Sequence, residues 1–426
     1  MKKPVSLLTI LLIITIIISA AGCAGKEAPP STPTPPESAE AILDQIEVDV
    51  SGIRGLSPKA EIEPQFVTSQ ELKALLESDF AENNPAAELR VEQAVLTMLD
   101  LLPSDYDLPG SLLQLSEEQV IGFYDDKTNE MIILGNLSKI DIEEKLTFAH
   151  EYVHALEDQT FNLQSLPLHD KDNSDLALAA LSVAEGDATL AMMLYAYRYL
   201  GPTAIRELAG SPAAGNSTSF DAAPQVIKET FLFPYVQGME FVTSIFLQGG
   251  WTAVDRLYSD IPESTEQILH PVKYLANDQP KEVAIPDLQG ALGDGWSELY
   301  SGVLGELYTR IYLEAFIDNT TAIKAAAGWG GDRYVFYEDT NKRDLLVIRS
   351  TWDTPQDAQE FFDAYVLFVN KKSNDSWPLQ LNTQNERWWN APDQSVYISK
   401  QGNNVLIVIS PDDKTLIDIL PQFTVP

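Results

Sequence analysis

Cysteine is all but missing: the 426-residue chain holds one, Cys23. No disulfide can form within the chain, and no zinc site built on cysteine pairs is available. Histidine is scarce too, with four in all. Basic residues are outnumbered, 28 Lys and Arg against 63 Asp and Glu, for a formal charge of −35. Such a surface repels nucleic acid and anionic lipid headgroups, so nucleic acid is excluded as a partner. Internal repeats are absent, which excludes the solenoids. Hydrophobic residues make up 45% of the chain, enough for a large core and against global disorder.

Long apolar runs are also lacking. The most apolar stretch, residues 5–18, spans 14 residues and is too short for an ordinary membrane-crossing helix. It follows Met1-Lys2-Lys3 and ends in Ala20-Ala21-Gly22-Cys23, the layout of an export signal whose small residues lead into cysteine. This resembles a bacterial lipobox. It implies that residues 1–22 are a lipoprotein signal peptide and that Cys23 is lipidated, anchoring the protein to the cell membrane on its extracytoplasmic side. Residues 23–40, rich in Pro, Ser and Thr, form an extended tether.

Within the globular sequence, Gly and Pro are absent from residues 142–161. Leu146, Ala149, Val153 and Leu156 recur there at helical spacing, so a helix with one buried stripe is expected. It carries His150-Glu151-Tyr152-Val153-His154, an H-E-x-x-H pattern. Residues i and i+4 share a helix face, so His150 and His154 aim two imidazoles at one point, at a spacing that zinc accepts. Glu151 is turned about 100° from His150, beside the metal, where it can deprotonate a metal-bound water. A catalytic zinc usually takes a third protein ligand and keeps one position open. Glu185, His169, Asp187 and His270 are the candidates.

The surroundings read as α+β. Thr68-Ser69-Gln70-Glu71 is a capping box opening a helix, and a second helix covers about 88–102. Residues 119–124 and 130–134 read as a hairpin just ahead of the motif helix, suited to an extended peptide adding at a sheet edge. Residues 174–200 form one long Ala- and Leu-rich helix containing Ala184-Glu185-Gly186-Asp187-Ala188, with Gly186 allowing close helix approach. Residues 234–247 form a helix with Pro234 in its first turn. Residues 263–271 are a polar segment carrying His270, and residues 298–327 read as helical. The period changes at Gly328-Trp329-Gly330-Gly331, which divides a mainly helical domain, 41–327, from a C-terminal α+β region, 328–426, of order ββαββα.

The chain resembles the gluzincin-type H-E-x-x-H zinc metallopeptidases, and more narrowly their poorly characterised secreted or lipid-anchored members. The matching pieces are Gly122-Phe123-Tyr124-Asp125, Ala149-His150-Glu151 through His154-Ala155-Leu156, Asp158-Gln159, Glu185-Gly186-Asp187 and Ser264-Thr265-Glu266-Gln267-Ile268-Leu269-His270-Pro271. They fall within about residues 50–340, and the H-E-x-x-H motif is the specific part. The resemblance implies a zincin-like domain holding one zinc per chain through His150, His154 and Glu185. Glu151 would be the general base of peptide-bond hydrolysis, and the partner a peptide or protein substrate. The chain departs from the thermolysin pattern, which has an Asp four residues after the glutamate ligand to support a ligand histidine; Thr189 stands there. Asp187 and Asp158 are expected to take that supporting place. His270 and Tyr235 are expected to supply a donor to the tetrahedral oxyanion. The rival reading is a catalytically silent zincin fold kept as a cell-surface binding protein; a weaker one is a zinc hydrolase of non-peptide substrates.

Overall fold

The computed structural model describes residues 38–135, 140–202 and 218–423. The signal peptide, Cys23 and nearly all of the tether lie outside these residues.

The chain is α+β, with a small sheet, a helical body and a large antiparallel sheet in that order. The first half comprises α1 (Ala39–Arg54), β1 (Pro64–Val67), α2 (Ser69–Asn83), α3 (Ala86–Met98), α4 (Leu108–Gln119), β2 (Gly122–Asp125), β3 (Glu130–Leu134), α5 (Ile142–Phe161) and α6 (Ser174–Tyr195). The middle continues with α7 (Thr218–Ala222), α8 (Gln225–Gly249), α9 (Trp251–Leu257), α10 (Thr265–Leu269), α11 (Pro271–Leu275) and α12 (Gln289–Leu292). Then come β4 (Trp296–Gly302), α13 (Gly305–Glu314), α14 (Asn319–Ala326), β5 (Trp329–Asp339) and β6 (Asp344–Trp352). The chain ends with α15 (Pro355–Ser373), β7 (Leu379–Asn382), β8 (Glu386–Asn390), β9 (Ser395–Gln401), β10 (Asn404–Ser410) and α16 (Asp413–Ile419).

The small sheet has the order β1-β3-β2, with β1 parallel and β2 antiparallel to β3. Its strands alternate as a pleat requires. Tyr124, Met131 and Ile133 join the core around α5, while Ile132 belongs to a separate small cluster on the other side, with Phe123 and Leu134 packed against it. At Gly122 a Cβ would stand 2.9 Å from Thr147 Cγ2, so this glycine lets β2 lie close on α5.

α6 and α8 cross in backbone contact. A Cβ on Gly186 would meet the Gly238 carbonyl at 2.4 Å, and one on Gly238 would meet Ser182 O at 2.4 Å. The close approach expected at Gly186 is therefore two-sided. By length and composition the helical stretch that α6 opens, Ser174–Leu200, is long and apolar enough to cross a membrane, its most apolar 18 residues having a mean hydropathy of 1.4. Yet 83% of those 18 residues are buried in the protein, as befits a core helix. Its α-helical part stops at Tyr195, and a π-helical turn carries the chain on to Leu200.

The large sheet runs β4-β5-β6-β10-β9-β8-β7, with every pair antiparallel. Tyr334, Phe336, Leu346 and Ile348 merge one face with the core of the helical body. Val335, Tyr337, Leu345 and Val347 point the other way, under Leu416 and Ile419 of α16.

Four elements differ from the sequence-based expectation. The stretch 298–327, expected to be helical, opens as β4, which pairs with β5 along its length and buries Trp296 on one side of the sheet and, past a bulge between Glu298 and Tyr300, Tyr300 on the other. Helices α13 and α14 follow only after Gly305, whose φ is +73°. The C-terminal order is ββαββββα rather than ββαββα; β7 is short and mostly exposed, so it carries almost no period-two signal. Pro234 lies inside α8, not in its first turn. A proline there forfeits one backbone hydrogen bond, and the apolar face of Val226, Ile227, Phe233 and Phe241 outweighs that loss. The polar segment carrying His270 is the short helix α10, capped by the Ser264 side chain, with His270 joining it to α11.

Candidate metal centre

α5 begins with a reciprocal cap. Asp141 Oδ1 accepts from the Glu143 and Glu144 N–H groups, while Glu144 Oε2 accepts from Asp141 N. The helix ends at Asn162 in the left-handed region, φ +61°. With no break in its twenty residues, His150 and His154 stand one turn apart, both on the side facing α6.

There they meet Glu185. His150 Nε2 is 3.0 Å from His154 Nε2 and 3.1 Å from Glu185 Oε2, and His154 Nε2 is 3.4 Å from the same oxygen. All three side chains are at most 1% exposed. Two imidazole nitrogens and a carboxylate oxygen thus converge in a buried spot, and the group can hold a metal ion. Of the four candidates for a third ligand, only Glu185 joins the two histidines.

The rest of the surroundings orient these donors. His154 Nδ1 lies 3.0 Å from Glu157 Oε2, one turn further along α5. A carboxylate there fixes the tautomer that leaves Nε2 bare for a metal. The Tyr235 hydroxyl of α8 donates to Glu185 Oε1 at 3.1 Å, and its ring centroid is 6.3 Å from that of His150. Tyr235 precedes Gly238 by one turn and Glu185 precedes Gly186 by one residue, so the glycine crossing of α6 and α8 brings phenol and carboxylate together. Glu151 is completely buried on the same turn of α5.

Charge in the cluster is shared. Burial lowers the His150 pKa and holds that ring neutral. Burial acts the same way on His154, but the Glu157 and Glu185 charges more than reverse it, leaving its pKa well above 6.5. Burial would raise the Glu185 pKa, and the His154 charge with its hydrogen bonds brings it below the ordinary value. Glu157 is pushed up to about 7, mainly by burial. A metal binds only the deprotonated imidazole, so metal binding here is linked to proton release from His154.

The other expected site residues lie elsewhere. Asp187, expected to support a ligand histidine, instead accepts two hydrogen bonds from Arg54, Nε at 2.7 Å and Nη2 at 2.8 Å, and one from the Tyr258 hydroxyl at 2.9 Å. It stands two residues after Glu185, so on a 3.6-residue helix it faces away from the histidines. Asp158 accepts from the Tyr124 hydroxyl, Asn129 Nδ2 and Leu163 N, tying the β2–β3 hairpin to the end of α5. Glu157 takes the place expected for both. It stands three residues after His154, where a helix face would bring it back to the ring, and that spacing was visible in the sequence. His270 is bonded at 2.8 Å to Glu306 of α13, not to the cluster. His169 sits beside Asp126; burial lowers its pKa and the Asp126 charge opposes that.

Arg54 had no signal in the sequence. It is fully buried at the end of α1, and its Nη2 also lies 2.7 Å from Asp255 Oδ1. Its guanidinium stands 4.6 Å from the Trp251 ring centroid. Burial would lower the Arg54 pKa, but the Asp187 charge and hydrogen bonds outweigh burial and hold it protonated.

A protein-family profile described as a domain of unknown function (DUF8575) matches residues 297–420. The match spans less than half of the chain. It covers the large sheet from β4 onward, which begins ahead of Gly328, and leaves out the metal centre. No curated protein and no solved structure matches the chain.

Proposed function

We propose that this chain is a zinc-dependent endopeptidase, anchored through lipid at Cys23 on the extracytoplasmic side of the membrane. The single observation that carries this is the triangle of His150 Nε2, His154 Nε2 and Glu185 Oε2, with sides of 3.0, 3.1 and 3.4 Å. Ligand atoms about 2.0–2.1 Å from a tetrahedral zinc stand about 3.3 Å apart, so the donor set fits in kind and in spacing. Two histidines with a third ligand on another helix also leave room for the open position that separates a catalytic from a structural zinc site.

A zinc ion held here would polarise the scissile carbonyl and acidify the attacking water. Glu151 takes the proton from that water on a carboxylate oxygen and returns it to the departing amine nitrogen. Glu157 keeps His154 Nε2 free of a proton. Tyr235 holds Glu185 Oε1, which turns Oε2 toward the histidines; its single hydroxyl proton is spent on this contact, so donation to an oxyanion requires the phenol to turn.

One observation favours the silent binding protein as a second reading: His150, Glu151, His154 and Glu185 are at most 1% exposed. A peptide-library digest separates the two. The full chain should cut peptides, stop when a chelator strips the metal, and resume on adding zinc. A zinc-loaded chain that cuts nothing in the library is the silent form. A Cys23→Ser chain that has lost its signal peptide and still partitions into detergent would remove the lipid anchor from the proposal.

A further inference from the structure

Burial of the whole centre poses a question that the endopeptidase reading must answer: which element moves to admit a peptide. α2 has the right construction. Of its fifteen residues only Leu72, Leu76 and Phe80 are buried. Leu72 and Leu76 form one small buried cluster with Val120, Ile132 and Tyr235, and Phe123, Leu134 and Phe231 pack against it. This cluster joins the outer face of the small sheet to α8. Its Tyr235 is the residue whose hydroxyl grips Glu185. The leucines of α2 thus close an apolar trough whose wall is in direct contact with a proposed metal ligand.

At the C-terminal end of α2, Phe80 packs into the main core and Lys127 Nζ donates to Asn83 Oδ1 at 3.5 Å, so this end is the hinge and the first half, with Leu72 and Leu76, is the part that swings. The Lys73 ammonium donates to Glu117 Oε2 of α4 at 2.8 Å, with Lys73 half exposed. An exposed pair of this kind contributes little. The helix carries its own reciprocal cap, Thr68 with Glu71, so its first turn does not depend on the rest of the protein. It ends at Asn84-Pro85, a break in helical backbone that separates it from α3.

We propose that α2 is an autoinhibitory lid, with Leu72 and Leu76 occupying the trough that an apolar segment of the peptide substrate takes when the lid opens. The proposal rests on the endopeptidase reading, and the test keeps the two apart. Full-length, zinc-loaded chain is compared with Leu72→Ser/Leu76→Ser and with Lys73→Glu, which loosens the lid from outside without touching the core. Two rates are read: cleavage of a leucine-containing fluorogenic peptide, and zinc uptake by 4-(2-pyridylazo)resorcinol. Exposing a buried leucine shifts a closed–open equilibrium by about tenfold or more, so the double variant should speed both rates by at least that factor. Lys73→Glu should raise them a few-fold, within the range of surface ion pairs. Variants that keep the parent circular dichroism and both parent rates would make α2 a fixed wall and overturn the lid. Faster zinc release with no cleavage by any form supports the lid and removes the peptidase. If the parent holds no zinc, that reading fails, and amide hydrogen exchange decides the lid alone. Exchange of α2 as a unit ahead of α5 and α6 supports it; exchange of α2 only with global unfolding overturns it.

Discussion

Glu151→Gln is expected to keep its zinc and lose peptide turnover by about 10²–10⁴-fold, the range over which a positioned general base acts. Gln matches Glu in shape and length, so the completely buried site keeps its packing. It leaves the donor triangle of His150, His154 and Glu185 untouched. What disappears is a carboxylate able to accept the proton of the attacking water. The loss should fall on kcat with KM little changed, the mark of an interaction made in the transition state. Turnover within tenfold of the parent would remove Glu151 from the role of base.

The second large effect is on stability. Arg54→Ala should cost about 3–5 kcal/mol, because it strands Asp187 as a buried, uncompensated charge. The loss should appear as a lower denaturant midpoint. Adding Asp187→Asn to Arg54→Ala should recover a large part of it, since the stranded charge is then gone. Zinc affinity should weaken along with stability, because Asp187 lies two residues from Glu185 and Arg54 ties α1 to that stretch of α6. Arg54→Ala with the parent midpoint would mean that the pair does not hold α1 in place.

The contrast between these two residues shows what the chain reveals before it folds. The histidines and Glu151 sit within five residues, at a spacing that puts both rings on one helix face, and a stretch without Gly or Pro favours that helix. Arg54 and Asp187 are 133 residues apart. In sequence Arg54 is an ordinary basic residue, and no local pattern marks a long-range buried pair. Glu185 stood between these cases: a carboxylate in an Ala- and Leu-rich helix beside a glycine. The crossing at Gly186 needed its partner Gly238, which only the packed helices identify.

The errors have local causes. The alternation of β4 is interrupted by the bulge between Glu298 and Tyr300, so it read as the start of a helix. Pro234 marks a helix start in most contexts, but here tertiary packing carries the helix straight through it. Asp187 and Asp158 stand close in sequence to the ligands, but a ligand histidine selects its partner by helix face, and that face carries Glu157. Tyr235 comes to the centre, though onto Glu185; His270, in a polar segment, is held by Glu306 of α13.

The most direct test of the metal centre is zinc content per folded chain, measured by mass spectrometry on the purified full-length protein and on single variants. The parent and His169→Ala should carry about one zinc per chain, and His154→Ala and Glu185→Ala close to none. A parent without zinc after loading, or a Glu185→Ala chain with full zinc, would contradict the centre described here.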